Sequence, residues 1–335
     1  MTAFALSGGI TLAVAWGLTF ALCRGTGPVL LDMPNARSLH ATPKPRSGGL
    51  AIFSGILVGY LALAMKGALP DVMIVMMGCT TLVFIVSIVD DVRHVSPVLR
   101  LAVHAAAALG LVAAGLVSSN LALPGLEIHL SATVGTVFTV LFVVWMTNLY
   151  NFMDGMDGFA GGMGAIGFAA CAVLAMLGGS ADLALAGGVV ALACVGFLCF
   201  NFPPARIFMG DAGASVLGFA AAALLLAADQ AQAFPLWIGI LVFSPFIADA
   251  TLTLFRRAWH RERVWEAHCG HCYQRLVQLG WSHRRTTLWA YALMFACAAS
   301  ALLMMHATSG WQWVALCGWG SVYTVLVILV GKLEG

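Results

Sequence analysis

Residues 72–89 read VMIVMMGCTTLVFIVSIV, a run without a charged side chain that ends directly before Asp90 and Asp91. An α-helix needs about 20 apolar residues to cross the roughly 30 Å hydrocarbon core of a bilayer. Ten further predominantly apolar runs lie near residues 5–23, 48–65, 99–117, 131–149, 159–178, 183–200, 212–228, 234–255, 286–306 and 311–331. The sequence therefore predicts an all-α, polytopic membrane bundle of about 10–11 transmembrane helices, with residues 1–335 in a single domain.

The composition excludes several other classes of protein. Of the 335 residues, 61% are hydrophobic and 9% are charged, whereas a soluble domain carries about 25% charged residues. This balance excludes a soluble globular protein, a disordered chain and a nucleic-acid-binding protein. The net charge of +2 carries no information about partners, so the positions of the few charges become the informative feature.

The basic residues are distributed unevenly between the two predicted membrane surfaces. Alternating connections place five loops and the C-terminal tail on one surface: 24–47, 90–98, 148–158, 201–211 and 256–285. With Arg100 counted beside its loop, this surface carries 15 of the 16 Lys and Arg residues, and the other surface carries only Lys66. Because Lys and Arg accumulate in cytoplasmic loops, we expect a cytoplasmic C-terminus and, with eleven spans, an N-terminus outside.

Two adjacent acids, Asp90 and Asp91, end the apolar run at residues 72–89. Their charges repel each other, and the C-terminal end of a helix is the negative end of its dipole, so the pair needs a compensating cation. A divalent metal ion or a cationic clamp on a substrate would supply that charge. The alternative is a solvated stop signal at the membrane edge.

A second polar cluster, NLYNFMDGMDGFAGG, covers residues 148–162. Asn148, Asn151, Asp154 and Asp157 recur at every third position, which makes them neighbours if the helix continues. The interleaved glycines permit a turn in which the backbone approaches a ligand closely. Four oxygen-bearing side chains suit Mg²⁺ or the hydroxyls and base edge of a nucleotide. The alternative for Asp157 is an N-cap of the next helix.

A third acid, Asp211, follows Gly210 at the start of a later apolar run. An acid in this position is either an N-cap or a metal ligand at the positive end of a helix, where phosphate oxygens also bind well. The spacing alone leaves both interpretations open.

Two loops are basic. The first, residues 24–47, contains Arg37, His40 and Arg46, which indicate a site for the phosphate of a lipid or, alternatively, a positively charged membrane anchor. The second, residues 256–285, combines seven Arg with four His. Its bases suit the phosphates of a nucleotide sugar and a lipid, and contact with anionic lipid is the alternative.

Cys269 and Cys272 form a C-x-x-C pair inside the second basic loop. A redox dithiol of this spacing is typical of a βαβ unit, which the sequence does not predict. A zinc site would lack the usual second pair of ligands downstream. Redox and zinc chemistry are therefore the weaker interpretations.

Three titratable residues lie within apolar runs. Asp249 is a functional candidate because an acid inside a membrane is rarely without a role, and it is the basis of the alternative hypothesis that the protein is a transporter. The other interpretation is that Asp249 pairs with a residue on a neighbouring helix. His104 and His306 are interpreted as buried or interfacial residues.

Taken together, these stretches resemble the polyprenyl-phosphate N-acetylhexosamine-1-phosphate transferase family of integral-membrane enzymes. The similarity spans nearly the whole chain and rests on five motifs in order: GGL at 48–50, DD at 90–91, N-x-x-N-x-x-D-G-x-D-G at 148–158, MGD at 209–211 and H-x-x-H at 268–271. The last loop lacks the run of adjacent His found in members that transfer a muramyl-pentapeptide phosphate. It looks more like the branch that begins O-antigen or similar glycans.

The resemblance implies transfer of a hexosamine phosphate from a UDP-N-acetylhexosamine to polyprenyl phosphate at the cytoplasmic side of a bacterial inner membrane. Mg²⁺ is the implied cofactor, with Mn²⁺ as an alternative, and a second copy of the chain is a candidate partner. Together with the residue patterns, it assigns Asp90, Asp91, His268 and His271 to catalysis; Asn151 and Asp211 to the metal; Asn148, Asp154, Asp157, Arg100 and Arg275 to the nucleotide sugar; and Arg37, His40 and Arg46 to the lipid phosphate.

Overall fold

The computed structural model describes residues 2–26, 30–32, 43–67, 70–262 and 269–333, which are almost entirely helical. Its helices in chain order are α1 (Thr2–Cys23), α2 (Gly48–Ala64), α3 (Asp71–Arg93), α4 (Pro97–Ala113), α5 (Ala132–Phe152), α6 (Phe159–Leu177), α7 (Ala181–Asn201), α8 (Gly210–Gln230), α9 (Leu236–Trp259), α10 (Cys272–Gln278), α11 (His283–Met304) and α12 (Ser309–Leu333). Each long helix coincides with one of the eleven apolar runs. The predicted all-α polytopic bundle is therefore confirmed.

Most of these helices are long enough to span a membrane. Within the described residues, nine helices are apolar and at least 18 residues long, and the remaining two apolar helices, α2 and α4, have 17 residues each. A length of 17 residues is the lower end of what crosses a bilayer. The short α10 is the exception, because it belongs to the loop between α9 and α11.

Local signals in the sequence set several helix boundaries. Pro70 and Pro235 stand at the N-caps of α3 and α9, and Pro97 is the first residue of α4, where the missing N–H would have had no helical partner. Ser96 caps α4 by accepting a hydrogen bond from Leu99 N at 3.3 Å. These residues explain why the apolar runs and the helices agree so closely.

Two short hairpins interrupt the helices. β1 (Leu31–Asp32) pairs antiparallel with β2 (Lys44–Pro45) before α2. β3 (Asn120–Leu123) and β4 (Leu126–His129) form a second antiparallel hairpin between α4 and α5. The second hairpin lies at the end of the bundle away from Asp90, because α4 runs from that acid's loop to the opposite surface.

The core is built around α8. Nearly every residue of α8 is buried, and it packs against α2, α3 and α5. A second layer consists of the α6–α7 pair, with α1 packed on α7 and α2. By contrast, α12 has one buried residue within its described span, Val330, and lies at the edge. This arrangement holds the start of α8, with Asp211, between α2 and α3.

Glycine permits the closest of these helix approaches. A Cβ atom at Gly49 would overlap the backbone of Gly213. The backbone of the same segment is hydrogen-bonded, because Gly48 N donates to Phe208 O at 3.0 Å and Gly49 N donates to Met209 O at 2.7 Å. The start of α2 therefore lies directly beside the start of α8.

We expect Gly49→Ala to destabilise the protein by about 1–3 kcal/mol, because the new methyl group must push α2 away from α8. The measurement is thermal unfolding of the detergent-solubilised protein. The matched control is Gly78→Ala in α3, where a Cβ meets nothing within 4 Å and alanine favours the helix. Equal unfolding temperatures for the two variants would contradict the close approach.

Candidate active site

Asp90 lies in the last turn of α3 and is tied to the chain that follows it. Its Oδ1 accepts a hydrogen bond from Val95 N at 2.7 Å, and its Oδ2 pairs with Nη1 of Arg100 in the first turn of α4. The Asp90 side chain is 8% exposed. The α3–α4 loop thus folds back so that Arg100 neutralises an acid at the negative end of α3.

Asp91 is the most buried acid of the site, with a side chain that is 1% exposed. It pairs with Nη2 of Arg46, and its two carboxylate oxygens accept hydrogen bonds from the backbone N–H groups of Asp211 and Ala212, each at 3.1 Å. The positive end of α8 therefore faces this carboxylate. The interpretation of Asp90 and Asp91 as a solvated stop signal is wrong, because both are buried and paired.

Asp211 lies in the first turn of α8 and faces the same two arginines. Its Oδ2 is 3.1 Å from Nη1 of Arg100, and its Oδ1 is 3.6 Å from Nη2 of Arg46. The N-cap interpretation of Asp211 is wrong, since Met209 holds that position without a side-chain bond. With 30% of its side chain exposed, Asp211 is far more accessible than Asp91.

Arg46 reaches this cluster because the strand before α2 pairs with the segment before α8. Phe208 N donates to Pro45 O at 2.7 Å, and Arg46 N donates to Leu30 O at the same distance. Burial opposes the charge of Arg46, but Asp91 and Asp211 outweigh it and raise the pKa of the guanidinium. The structure therefore places Arg46, predicted for the lipid phosphate, among the acids.

Asp154 faces the cluster from the loop between α5 and α6. Burial and the nearby charge of Asp211 raise the pKa of its carboxyl to about 7. The condition that would align the motif on one helical face is not met: α5 ends at Phe152, and Gly158 adopts a φ of +74°, which glycine tolerates best. Asp154 and Asp157 consequently point to different neighbours.

Asp157 is buried and fastened on the other side of this loop. Its Oδ2 accepts a hydrogen bond from Ala205 N at 2.9 Å, and its Oδ1 is 3.3 Å from Nδ1 of His283. Although burial favours the neutral acid, the nearby His283 ring and the N–H of Ala205 lower the pKa of Asp157 overall. The N-cap interpretation of Asp157 is wrong, because Gly158 occupies the N-cap of α6.

The two asparagines of the motif lie in the last turns of α5. Asn148 donates from Nδ2 to Val144 O, one turn earlier, at 2.7 Å. Asn151 is half-buried and, among the described residues, forms no hydrogen bond with Asp211.

His271 is buried at the N-terminus of α10, where it stacks on Tyr273 with ring centroids 5.9 Å apart. Its Nδ1 is 3.6 Å from Oδ1 of Asp249. Tyr273 OH donates to Phe152 O at 3.3 Å, so α10 contacts the loop that carries Asp154. His271 therefore belongs to the support of that loop and faces Asp249 and Tyr273.

Asp249, the basis of the transporter alternative, stabilises the start of α10 instead. Its Oδ1 accepts hydrogen bonds from Cys272 N at 2.9 Å and from the Thr253 hydroxyl at 3.1 Å. Its Oδ2 lies 3.4 Å from Tyr273 N. The acid therefore holds the first turn of α10, and this geometry does not favour the transporter hypothesis.

Arg275 and Cys272 belong to α10, and Cys269 lies in the segment directly before it. Arg275 is buried near Gly331 of α12. Burial and the neighbouring Asp249 raise the pKa of the Cys272 thiol to about 12. Because the thiolate is the nucleophile in dithiol chemistry, this position disfavours the redox interpretation.

Three predicted site residues lie outside the described part of the chain: Arg37, His40 and His268. Their assignments stay predictions.

The sequence analysis missed Asn201, a buried residue at the end of α7. Its Nδ2 donates to Ile207 O at 2.8 Å, and its Oδ1 accepts from Gly158 N at 3.0 Å. It thus joins the loop before α8 to the loop of Asp154. The available signal was a lone amide between apolar runs, in the segment that leads to Asp211.

The site carries an excess of negative charge. Asp32 joins the cluster through an ion pair with Arg46 at 3.8 Å, so that five aspartates surround two arginines. In the described part of this cluster, aspartates therefore outnumber arginines. Such an excess suits a divalent cation.

The donor set fits Mg²⁺ in one particular way. In the described residues no three His, Cys, Asp or Glu side chains are grouped to hold a metal by themselves. Mg²⁺ at phosphate-transfer sites, however, is usually held by one or two carboxylates, with substrate phosphates and water completing its shell. Asp211, with 30% of its side chain exposed, meets that requirement, and Asp154 is a second candidate carboxylate.

Comparison with known proteins agrees with these features. The family model described as glycosyl transferase family 4 matches residues 73–229, which include Asp90, Asp91, Asp154, Asp157 and Asp211. A phospho-N-acetylmuramoyl-pentapeptide-transferase of Chlorobium chlorochromatii is 30% identical, but over 38% of this chain and 36% of its own length. That match does not extend to the whole fold.

Two other relatives match over most of the chain. A probable undecaprenyl-phosphate N-acetylglucosaminyl 1-phosphate transferase of Bacillus subtilis is 30% identical over 90% of this chain and 82% of its own length. A decaprenyl-phosphate N-acetylglucosaminephosphotransferase of Mycobacterium tuberculosis is 31% identical over 85% and 81%, respectively. The chain therefore belongs to glycosyl transferase family 4, as an integral membrane member of the polyprenyl-phosphate hexosamine-1-phosphate transferases.

Proposed function

We propose that this protein transfers N-acetylhexosamine 1-phosphate from a UDP-sugar to undecaprenyl phosphate or a related polyprenyl phosphate, as the first step of O-antigen or related surface-polysaccharide synthesis. The observation that carries the proposal is the cluster of Asp90, Asp91, Asp211, Arg46 and Arg100 at one end of the bundle. A lipid phosphate sits at that depth while its chain stays in hydrocarbon. The products are UMP and a polyprenyl-diphosphate sugar.

The reaction joins two anions, so charge compensation is its main requirement. An oxygen of the lipid phosphate attacks the β-phosphorus of the UDP-sugar, and the bond from that phosphorus to the bridging oxygen breaks as UMP leaves. Arg46 and Arg100, with 24% and 29% of their side chains exposed, are accessible to phosphate oxygens. Their guanidiniums stabilise the charge that develops on the phosphates.

The acids divide their roles according to burial. Asp91, which is almost inaccessible, positions Arg46 and the start of α8. Asp211 is accessible enough to hold Mg²⁺, and Asp154 and Asn151 are additional candidate ligands. When bound, Mg²⁺ screens the phosphates and stabilises the leaving group. Asp90, which is buried and paired with Arg100, positions that guanidinium for the phosphates.

The relatives support a choice of donor. Two relatives that match most of the chain are named for N-acetylglucosamine, which makes UDP-N-acetylglucosamine the preferred candidate substrate. We place the site at the cytoplasmic surface, where UDP-sugars occur, because 15 of the 16 Lys and Arg residues lie on that predicted side.

The first test supplies purified protein with undecaprenyl phosphate, Mg²⁺ and a panel of UDP-sugars, and measures UMP release. We expect UMP with UDP-N-acetylglucosamine, and a loss of about 10²–10³-fold in Asp211→Asn because its metal and arginine contacts are weakened. The double variant Cys269→Ser, Cys272→Ser is the control and should keep most of the activity. No UMP with any donor, or full activity of Asp211→Asn, would refute the proposed function.

A second test uses the raised pKa of Asp154, about 7. Below this pH the carboxyl is mostly protonated, so a metal ion must displace a proton to bind. We expect the apparent Mg²⁺ affinity to fall about tenfold per pH unit below pH 7 and to level off above it. Titrations of activity with Mg²⁺ between pH 5.5 and roughly 8.5 measure this. Asp154→Asn should bind Mg²⁺ more weakly and lose the dependence between about pH 6 and 7. A dependence at lower pH remains, because the carboxyl of Asp211 must also lose its proton before it binds the metal. An unchanged slope near pH 7 in that variant would exclude Asp154 as a ligand.

A further inference from the structure

His104 is a buried imidazole in α4 for which the described residues provide no hydrogen-bond partner. Its side chain is 3% exposed, and neither Nδ1 nor Nε2 forms a hydrogen bond. Buried polar atoms in folded proteins are nearly always paired, and an unpaired one is unfavourable. The free hydrogen-bonding capacity of His104 therefore calls for a partner in another state of the protein.

The position of His104 points to that partner. It lies four residues after Arg100, which is one turn deeper into α4 on the same face of the helix. The charges that act on its ring are those of Arg100 and Asp90. The imidazole therefore lies on the inner side of the Asp90–Arg100 ion pair, and solvent lies on the outer side.

Arg100 can leave its ion pair with Asp90. Nη1 of Arg100 is shared between Oδ2 of Asp90 and Oδ2 of Asp211, the latter at 3.1 Å. Arg100 is 29% exposed, whereas Asp90 is 8% exposed. An arriving phosphate can therefore recruit Arg100, but Asp90 cannot follow it, because Val95 N holds the other carboxylate oxygen.

We propose that His104 is a positioning residue that becomes the hydrogen-bond partner of Asp90 when a substrate phosphate draws Arg100 away. In that state a ring N–H of His104 donates to the carboxylate of Asp90. A buried carboxylate that loses the cation paired with it would otherwise be strongly unfavourable. The exchange lets Arg100 bind phosphate while Asp90 keeps its place. The identity of the phosphate rests on the proposed function, whereas the exchange between the side chains does not.

The decisive experiment is a double-mutant cycle on thermal stability, which needs no substrate. Arg100→Gln reproduces the departure of the guanidinium from Asp90. In the otherwise native protein, His104→Leu removes an unpaired polar group and should leave Tm unchanged or raise it. In the Arg100→Gln protein, the same change should lower Tm by several degrees, since Asp90 then loses its second partner.

The control is Thr80→Val in α3. Thr80 is also buried, but its hydroxyl donates to Met76 O of the same helix, so its effect on Tm should be the same in both backgrounds. If His104→Leu changes Tm equally in both backgrounds, His104 only fills space and the inference is overturned.

An activity measurement adds a second reading. We expect His104→Leu to lower kcat by about 10- to 100-fold, with a much smaller change in KM for the UDP-sugar, because the loss arises after Arg100 engages the phosphate. His104→Gln keeps an N–H donor and should restore most of kcat. A stable, fully active His104→Leu protein would also overturn the inference, whereas absent turnover in the native protein would refute the proposed function and leave the stability cycle to decide on His104.

Discussion

The carboxylate of Asp91 is the point on which the rest of the site depends. A buried charge is tolerated only when it is paired and hydrogen-bonded, and Asp91 is paired by Arg46 and by the backbone of Asp211 and Ala212. One side chain thus fastens three parts of the chain: the end of α3, the strand before α2 and the start of α8. Because each part brings its own charged residue, the site forms as these segments meet.

Small residues make this meeting possible. A Cβ at Gly210 would lie 2.5 Å from Arg46 O and 3.0 Å from Oδ2 of Asp91, and Gly210 has a φ of +75°. A side chain there would be too close to both partners and would strain the backbone. Close packing of Gly49 against Gly213 serves the same end. Glycine in these motifs therefore sets how closely the acids and bases approach.

The acids of this protein fall into two groups with different physical roles. Asp91, Asp157 and Asp249 accept backbone N–H groups in buried or nearly buried places, and each fastens one segment to another. Asp211 retains an accessible carboxylate, and the neighbouring acids and burial raise the pKa of Asp154. The division matters for function, because only accessible oxygens can reach a metal ion or a phosphate. Asp90 stands between the groups, buried but joined to an arginine that is free to move outward.

The number, order and bounds of the long helices were predictable from sequence alone, because the length of an apolar run and a nearby proline or serine are local properties. The candidate acids were also identified, since a charge within or beside such a run is conspicuous. Which groups meet could not be read in this way. Asp211 has the local pattern of an N-cap, yet Asp91, far away in the chain, accepts those N–H groups. The spacing of three would align Asp154 and Asp157 only in a continuous helix, and the helix ends between Asn151 and Asp154. Arg46 likewise appeared as a base of a lipid-facing loop and became the partner of two acids. Sequence thus determined the spans and the inventory of charged groups, and only the tertiary structure decided their pairing, because burial and electrostatic contact depend on segments that are distant along the chain.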